Sequence, residues 1–107
     1  MRDRTQSVNS VDAIVEAMCL DFERRAVAIR QGSVTHRTEM EYRYLNYKIF
    51  TASEQILGED RALIMIDDIG ARRGYAKSEL YDTSERDYKE KKRMVKENIA
   101  RALHLID

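Results

Sequence analysis

The sequence predicts an all-α domain, and three observations carry that expectation. Apolar residues recur at spacings of three and four along most of the 107 residues, the period of a helix with one buried face. The chain has no proline and only four glycines, too few for a turn-rich β-sandwich or a flexible linker. Capping residues flank each periodic stretch.

The first helix follows from Val11, Ile14, Val15, Met18, Phe22, Ala26 and Ile29, with Ser10 as its expected N-cap and Gly32 as its stop. Met18 and Cys19 read as core filler. The second helix starts after Ser33 with Thr35 or Thr38 as cap. It carries Tyr42, Leu45, Ile49, Ala52 and Ile56 as its main stripe and ends at Gly58. A short connection predicts an antiparallel hairpin over residues 8–58. Tyr44, Tyr47 and Phe50 broaden the stripe, and with Tyr42 they form a candidate homodimer interface, the other reading being a lid on the core.

Residues 59–107 are expected to form a three-helix unit sharing one domain with the hairpin. Ala62, Leu63, Ile66 and Ile69 mark a helix of about three turns. Thr83 or Ser84 is expected to cap the last helix, since Ser84-Glu85-Arg86-Asp87 approximates a capping box, and that helix is expected to bury Tyr88, Val95, Ile99, Ala102, Leu103 and Ile106. Between them lies the short segment Lys77 to Asp82.

Nineteen basic side chains balance nineteen acidic ones, so no global field draws the protein to nucleic acid or membrane. The balance hides a gradient. Residues 34–71 hold four basic against seven acidic side chains, whereas residues 72–106 hold ten against six. One cysteine excludes an intramolecular disulfide framework and suits a reducing cytoplasm. Met1 to Gln6 lack the apolar run of a signal peptide, and no apolar stretch approaches the ~18 residues of a membrane span. A cytoplasmic location is expected.

Chemistry finds little purchase. His36 and His104 are far apart, Cys19 has no ligand at metal-binding spacing, and no phosphate-cradling glycine loop occurs. Glu79, Asp82 and Glu85 fall at intervals of three, but Lys77, Arg86 and Lys89 surround them, and a salt-bridged surface accounts for them. The expectation is a protein without metal, cofactor, small-molecule substrate or enzymatic activity.

One local pattern points to a function. From Ile69 to Tyr81 the spacing is that of a helix-turn-helix: Gly70 small at a crossing, Gly74 in the turn, and Leu80 anchoring the second helix, with Ile69 and Tyr75 as flanking core residues. This stretch resembles the C-terminal DNA-binding part of RinA/ArpU-type phage late-gene regulators, themselves similar to sigma-factor region 4. The shared features are Ile69, Gly74-Tyr75, Ala76 and Leu80-Tyr81, followed by a helix rich in Lys, Arg and Ala. They cover about 35 of the 107 residues. The resemblance implies a small phage or mobile-element regulator that binds duplex DNA as a dimer. Ala76, Lys77, Ser78 and Glu79 would face the major groove. Arg72, Arg73, Lys89, Lys92, Arg93 and Lys96 would contact phosphates.

A second reading stands beside it: a helical protein-interaction module that binds no nucleic acid. The exact charge balance, the acidic Glu79 and Asp82, and the tyrosine-rich second helix favour it.

Overall fold

The computed structural model describes residues 2–80 and 82–107, with side chains from Ser10 onward; Tyr81, one carrier of the resemblance above, lies outside the described residues. Five α-helices and one 3-10 turn account for the fold, with no strand among the described residues: α1 (Arg2–Leu20), α2 (Phe22–Gln31), α3 (His36–Leu57), α4 (Glu59–Ala71), the turn Tyr75–Lys77, and α5 (Glu85–Ala102). The all-α expectation holds. The arrangement differs from the expected one.

The first difference is a bend. The expected first helix is two helices, α1 and α2, that meet at Asp21, and Ser10 lies inside α1 instead of capping it. Arg25 is the physical cause. Only 5% exposed, it sends its Nη2 donor to the Met18 carbonyl at 2.6 Å and its Nε to Asn46 Oδ1 at 2.7 Å. Asn46 Nδ2 in turn donates to the Phe22 carbonyl at 3.1 Å. A side chain wedged against carbonyls at a helix break is a standard origin of kinks. Burial pulls the Arg25 guanidinium below its ordinary pKa, yet Arg25, Asn46 and both carbonyls of this junction find partners.

Because of the bend, only α2 pairs with α3 as a hairpin, while α1 crosses onto α4 and α5. Residues 8–58 therefore hold three helices, of which α2 and α3 alone form the antiparallel pair expected of the whole stretch. Val15 and Cys19 of α1, Ile49 and Ala52 of α3, Met65, Ile66 and Ile69 of α4, and Tyr88, Val95 and Ile99 of α5 fill one common core. Three residues expected in that core stand outside it: Ile14, Leu63 and Ile106 are 41%, 52% and 37% exposed.

The caps follow the sequence closely. Gly32 ends α2 in the left-handed region (φ 63°), where its missing Cβ removes the steric penalty. Thr35 caps α3 by accepting the Thr38 N–H, and Ser84 caps α5 by accepting the Asp87 N–H at 3.1 Å.

The second difference concerns the helix-turn-helix corner. Among the described residues between Gly74 and Ser84 no second helix forms; Tyr75–Lys77 make a single 3-10 turn, and Ser78–Leu80 and Asp82–Thr83 are irregular. Ser78 explains the break: its hydroxyl accepts the Leu80 N–H at 3.1 Å, a local bond that competes with helix. Tyr75 Oη donates to the Thr83 carbonyl at 2.8 Å and folds the segment back on itself. So few residues also return little against the cost of nucleating a helix. Leu80 is buried as expected, but it anchors a loop.

Gly70 is indeed the small residue at a crossing, though of a different pair. A Cβ placed on it would lie 2.6 Å from the backbone nitrogen of Leu20 and 2.8 Å from Cys19 C and Leu20 Cα. It lets α1 rest on α4 backbone to backbone. Helix propensity favours alanine over glycine by about 1 kcal/mol, but a methyl group here must push two helices apart, at about 1–3 kcal/mol or more. Gly70→Ala should therefore lower the urea midpoint clearly. Gly74→Ala, with no neighbour within 4 Å and an ordinary extended backbone, should leave it unchanged or raise it slightly.

Candidate functional site

The basic residues singled out in the sequence lie at the junction of α4, the connector and α5, and each meets a different fate. The junction is organised by Asp68, which is 1% exposed near the end of α4. Its Oδ2 accepts the Tyr88 hydroxyl at 2.8 Å and its Oδ1 accepts Arg73 Nε at 3.1 Å. Arg73 also pairs with Asp67. Lys92 Nζ donates to the Arg73 carbonyl at 2.6 Å and sits 5.7 Å over the Tyr88 ring, which tilts against Tyr75. Burial lowers the Lys92 pKa. Arg73 and Lys92 are thus occupied inside the fold.

The outer cations cluster around Lys92. Lys89, Lys92, Arg93 and Lys96 line one groove of about 600 Å³ between α1 and α5, floored by Val11, Ala100, Leu105 and Ile106. Arg72 joins Lys92 and Lys96 in an adjoining depression beside Asp12 and Glu16. The structure therefore brings five of the nine candidate DNA-binding residues together. Lys77, Ser78 and Glu79 line neither hollow. Lys77 and Glu79 are exposed on the connector, and Ser78 is buried, so a groove-facing role for Ser78 is corrected.

Acidic partners accompany almost every cation. Arg72 bonds Glu16 at 3.1 Å, Lys96 meets Asp12 at 3.3 Å, and Lys89 meets Glu85 at 3.0 Å. Arg93 bridges Glu90 at 2.6 Å and Glu97 at 3.3 Å, and the hydrogen bond to Glu90 raises its pKa. The α1 carboxylates were missed in the sequence because nothing local links residues 12 and 16 to residues 72 and 96. Arg86 was also missed as a site residue. It stands exposed in the first turn of α5, and its spacing of three and seven to Lys89 and Arg93 becomes legible once Ser84 is taken as the cap.

The carboxylates weighed as a metal site are dispersed: Glu79 and Asp82 lie on the connector, Asp82 pairs with Arg61, and Glu85 opens α5. Among the described residues no group of three or more His, Cys, Asp or Glu is placed to hold a metal ion. No described helix is long and apolar enough to cross a membrane.

The tyrosine face of α3 divides. Tyr44 and Tyr47 are 52% and 65% exposed, with Met40 beside them at 55%, a residue the sequence reading passed over. Phe50 packs against the core, and Tyr42 is half-buried. The four residues proposed as one interface do not share a face.

Two buried acids are expected to weaken the fold at alkaline pH. Burial pushes the Cys19 thiol from 9.0 up to about 12, and burial with the Asp68 hydrogen bond pushes the Tyr88 phenol from 10.0 up to about 12. In both cases the native state holds a proton that the unfolded chain releases first. Stability should therefore be full below pH 9 and fall as pH rises toward 12. Urea midpoints measured across that range should show the decline, and Cys19→Ala should make it shallower.

No protein-family model matches this chain, and neither the curated proteins nor the solved structures yield a relative.

Proposed function

We propose that this chain binds duplex DNA through the outward face of α5, as a small transcriptional regulator of the phage or mobile-element type that its C-terminal resemblance implies. One observation carries the reading. Helix α5 holds seven basic side chains against four acidic, the largest positive excess of any helix, and Arg86, Lys89 and Arg93 stand exposed in line along it. On this reading α5 takes the part first assigned to residues 76–79. Its N-terminal turns meet the duplex, with Arg72 as a further phosphate contact from the end of α4.

The ion pairs on that face do not oppose the reading. Lys89–Glu85 and Arg93–Glu90 are solvent-exposed, and such pairs contribute about 0–1 kcal/mol each. A phosphate displaces a glutamate of that kind at little cost. The same pairs predict modest affinity, because every contact exchanges one partner for another.

A second reading, an interaction module without nucleic acid, is favoured by the exposed Met40, Tyr44 and Tyr47. Fluorescence anisotropy with a random duplex separates the two. Four phosphate contacts predict a loss of roughly a hundredfold in affinity between about 50 and about 200 mM salt. Arg86→Glu combined with Lys89→Glu and Arg93→Glu should abolish binding while the helical circular dichroism stays unchanged. Absence of binding at the lower salt would leave the interaction module as the function.

A further inference from the structure

The back of α3 is left unused by the core and by the basic junction. Met40, Tyr44, Tyr47 and Thr51 follow one another at intervals of four, three and four, the repeat of a coiled-coil seam. The seam lies opposite the buried Ile49, Ala52 and Ser53, so the face that holds α3 in the fold is not the face that carries these residues. Arg37 and Glu54 extend the seam at either end, and Glu41 and Lys48 flank it on one side.

We infer that two copies of this chain associate through an antiparallel pairing of their α3 helices. The charges choose both the partner and its direction. When a helix meets a reversed copy of itself, facing residues have a constant sum of numbers. Setting Tyr44 against Tyr47 of the second copy therefore sets Met40 against Thr51 and Arg37 against Glu54, and the two-fold axis repeats each match. Glu41 then flanks Lys48 of the second copy on both sides of the axis. The end charges and the Glu41–Lys48 flank thus meet their opposites, while Arg43 on the other flank keeps Glu39 of its own helix; the exposed Arg37–Glu41 pair within each helix is weak enough to exchange.

A parallel pairing fails by the same accounting. It places Arg37 against Arg37 and brings Arg43 beside Lys48, like charges at each point. The apolar stretch is short, with about 27 Å of helix from Arg37 to Glu54. That is less than a standard interface requires, so the association is reversible. This inference is independent of DNA binding: it uses another helix and another experiment.

Sedimentation equilibrium on the full chain tests it, from about 1 to about 500 µM, where interfaces below standard size associate. The expected result is a mass rising from 12.6 kDa toward twice that value. Glu41→Lys should shift association to at least tenfold higher concentration by setting lysine against lysine. The double variant Glu41→Lys with Lys48→Glu should restore it, because the swapped charges again face their opposites. All four charge positions lie outside the core, and circular dichroism checks that each variant folds. A monomer at every concentration would overturn the inference and leave the seam to a helix of another protein. So would a dimer indifferent to Glu41→Lys, or one that persists in Tyr44→Glu/Tyr47→Glu.

Discussion

A carboxylate buried at the end of a helix is the constraint on which the C-terminal half of this molecule depends. Asp68 is shut away from water, so it must be answered by donors, and α4 alone supplies none. The answers come from the connector, as Arg73, and from α5, as Tyr88. Leaving such a charge without its partners costs about 3–5 kcal/mol, a large share of the stability of a small domain. The connector is therefore drawn tightly around the carboxylate, and α5 leaves at a fixed place. Lys92 is drawn in as well, closing the arrangement over the Arg73 carbonyl.

That same constraint sorts the basic residues. A sequence with ten basic side chains in residues 72–106 looks like one electropositive patch. In three dimensions the inner members serve the fold, and Lys96, largely covered, is paired with Asp12 of α1. The outer line along α5 and the exposed Arg72, which leans on Glu16, are the cations left at the surface. The bend at Asp21 matters here, because it sends α1 across α4 and delivers its two carboxylates to the basic junction. A straight helix would have lain along α3 and left those cations free. Gly70 is the second requirement of the crossing, since no larger residue admits the α1 backbone so closely.

Much of this was legible in the residues. The helix class, the Gly32, Thr35, Gly58 and Ser84 boundaries and the buried Val15, Ile49, Ile66, Val95 and Ile99 all follow from period and capping, which act within a few residues. The misses share one physical character. The bend depends on Arg25 finding Asn46, twenty-one residues away, and the Asp68 site depends on Tyr88, twenty residues away. Neither pairing leaves a local trace. Gly70 does lie at a helix crossing and Leu80 is buried, but the crossing is that of α1 with α4, and Leu80 sits in the connector where the pattern expected a second helix. Ser78 decided against a second helix with one short bond to Leu80 that any helical spacing rule overlooks.

The two surface features differ in what they ask of a partner. The α5 face offers charges that are already half satisfied, so a binder must bring stronger or more numerous anions than the glutamates it displaces. A polyanion with regularly spaced phosphates meets that demand, and an isolated carboxylate does not. The α3 face offers the reverse, a short apolar strip whose ends carry opposite charges. Polyanions gain nothing there, whereas a reversed copy of the same helix matches it along its whole length. Because α3 and α5 pack directly against each other, joining two chains through α3 would carry two α5 faces into one assembly. On the proposed DNA-binding reading each face alone would hold three or four phosphate contacts, and linking two of them would raise the effective affinity without adding a contact. Weak self-association and weak DNA binding would then reinforce one another, each measured separately falling short of what the assembled pair achieves.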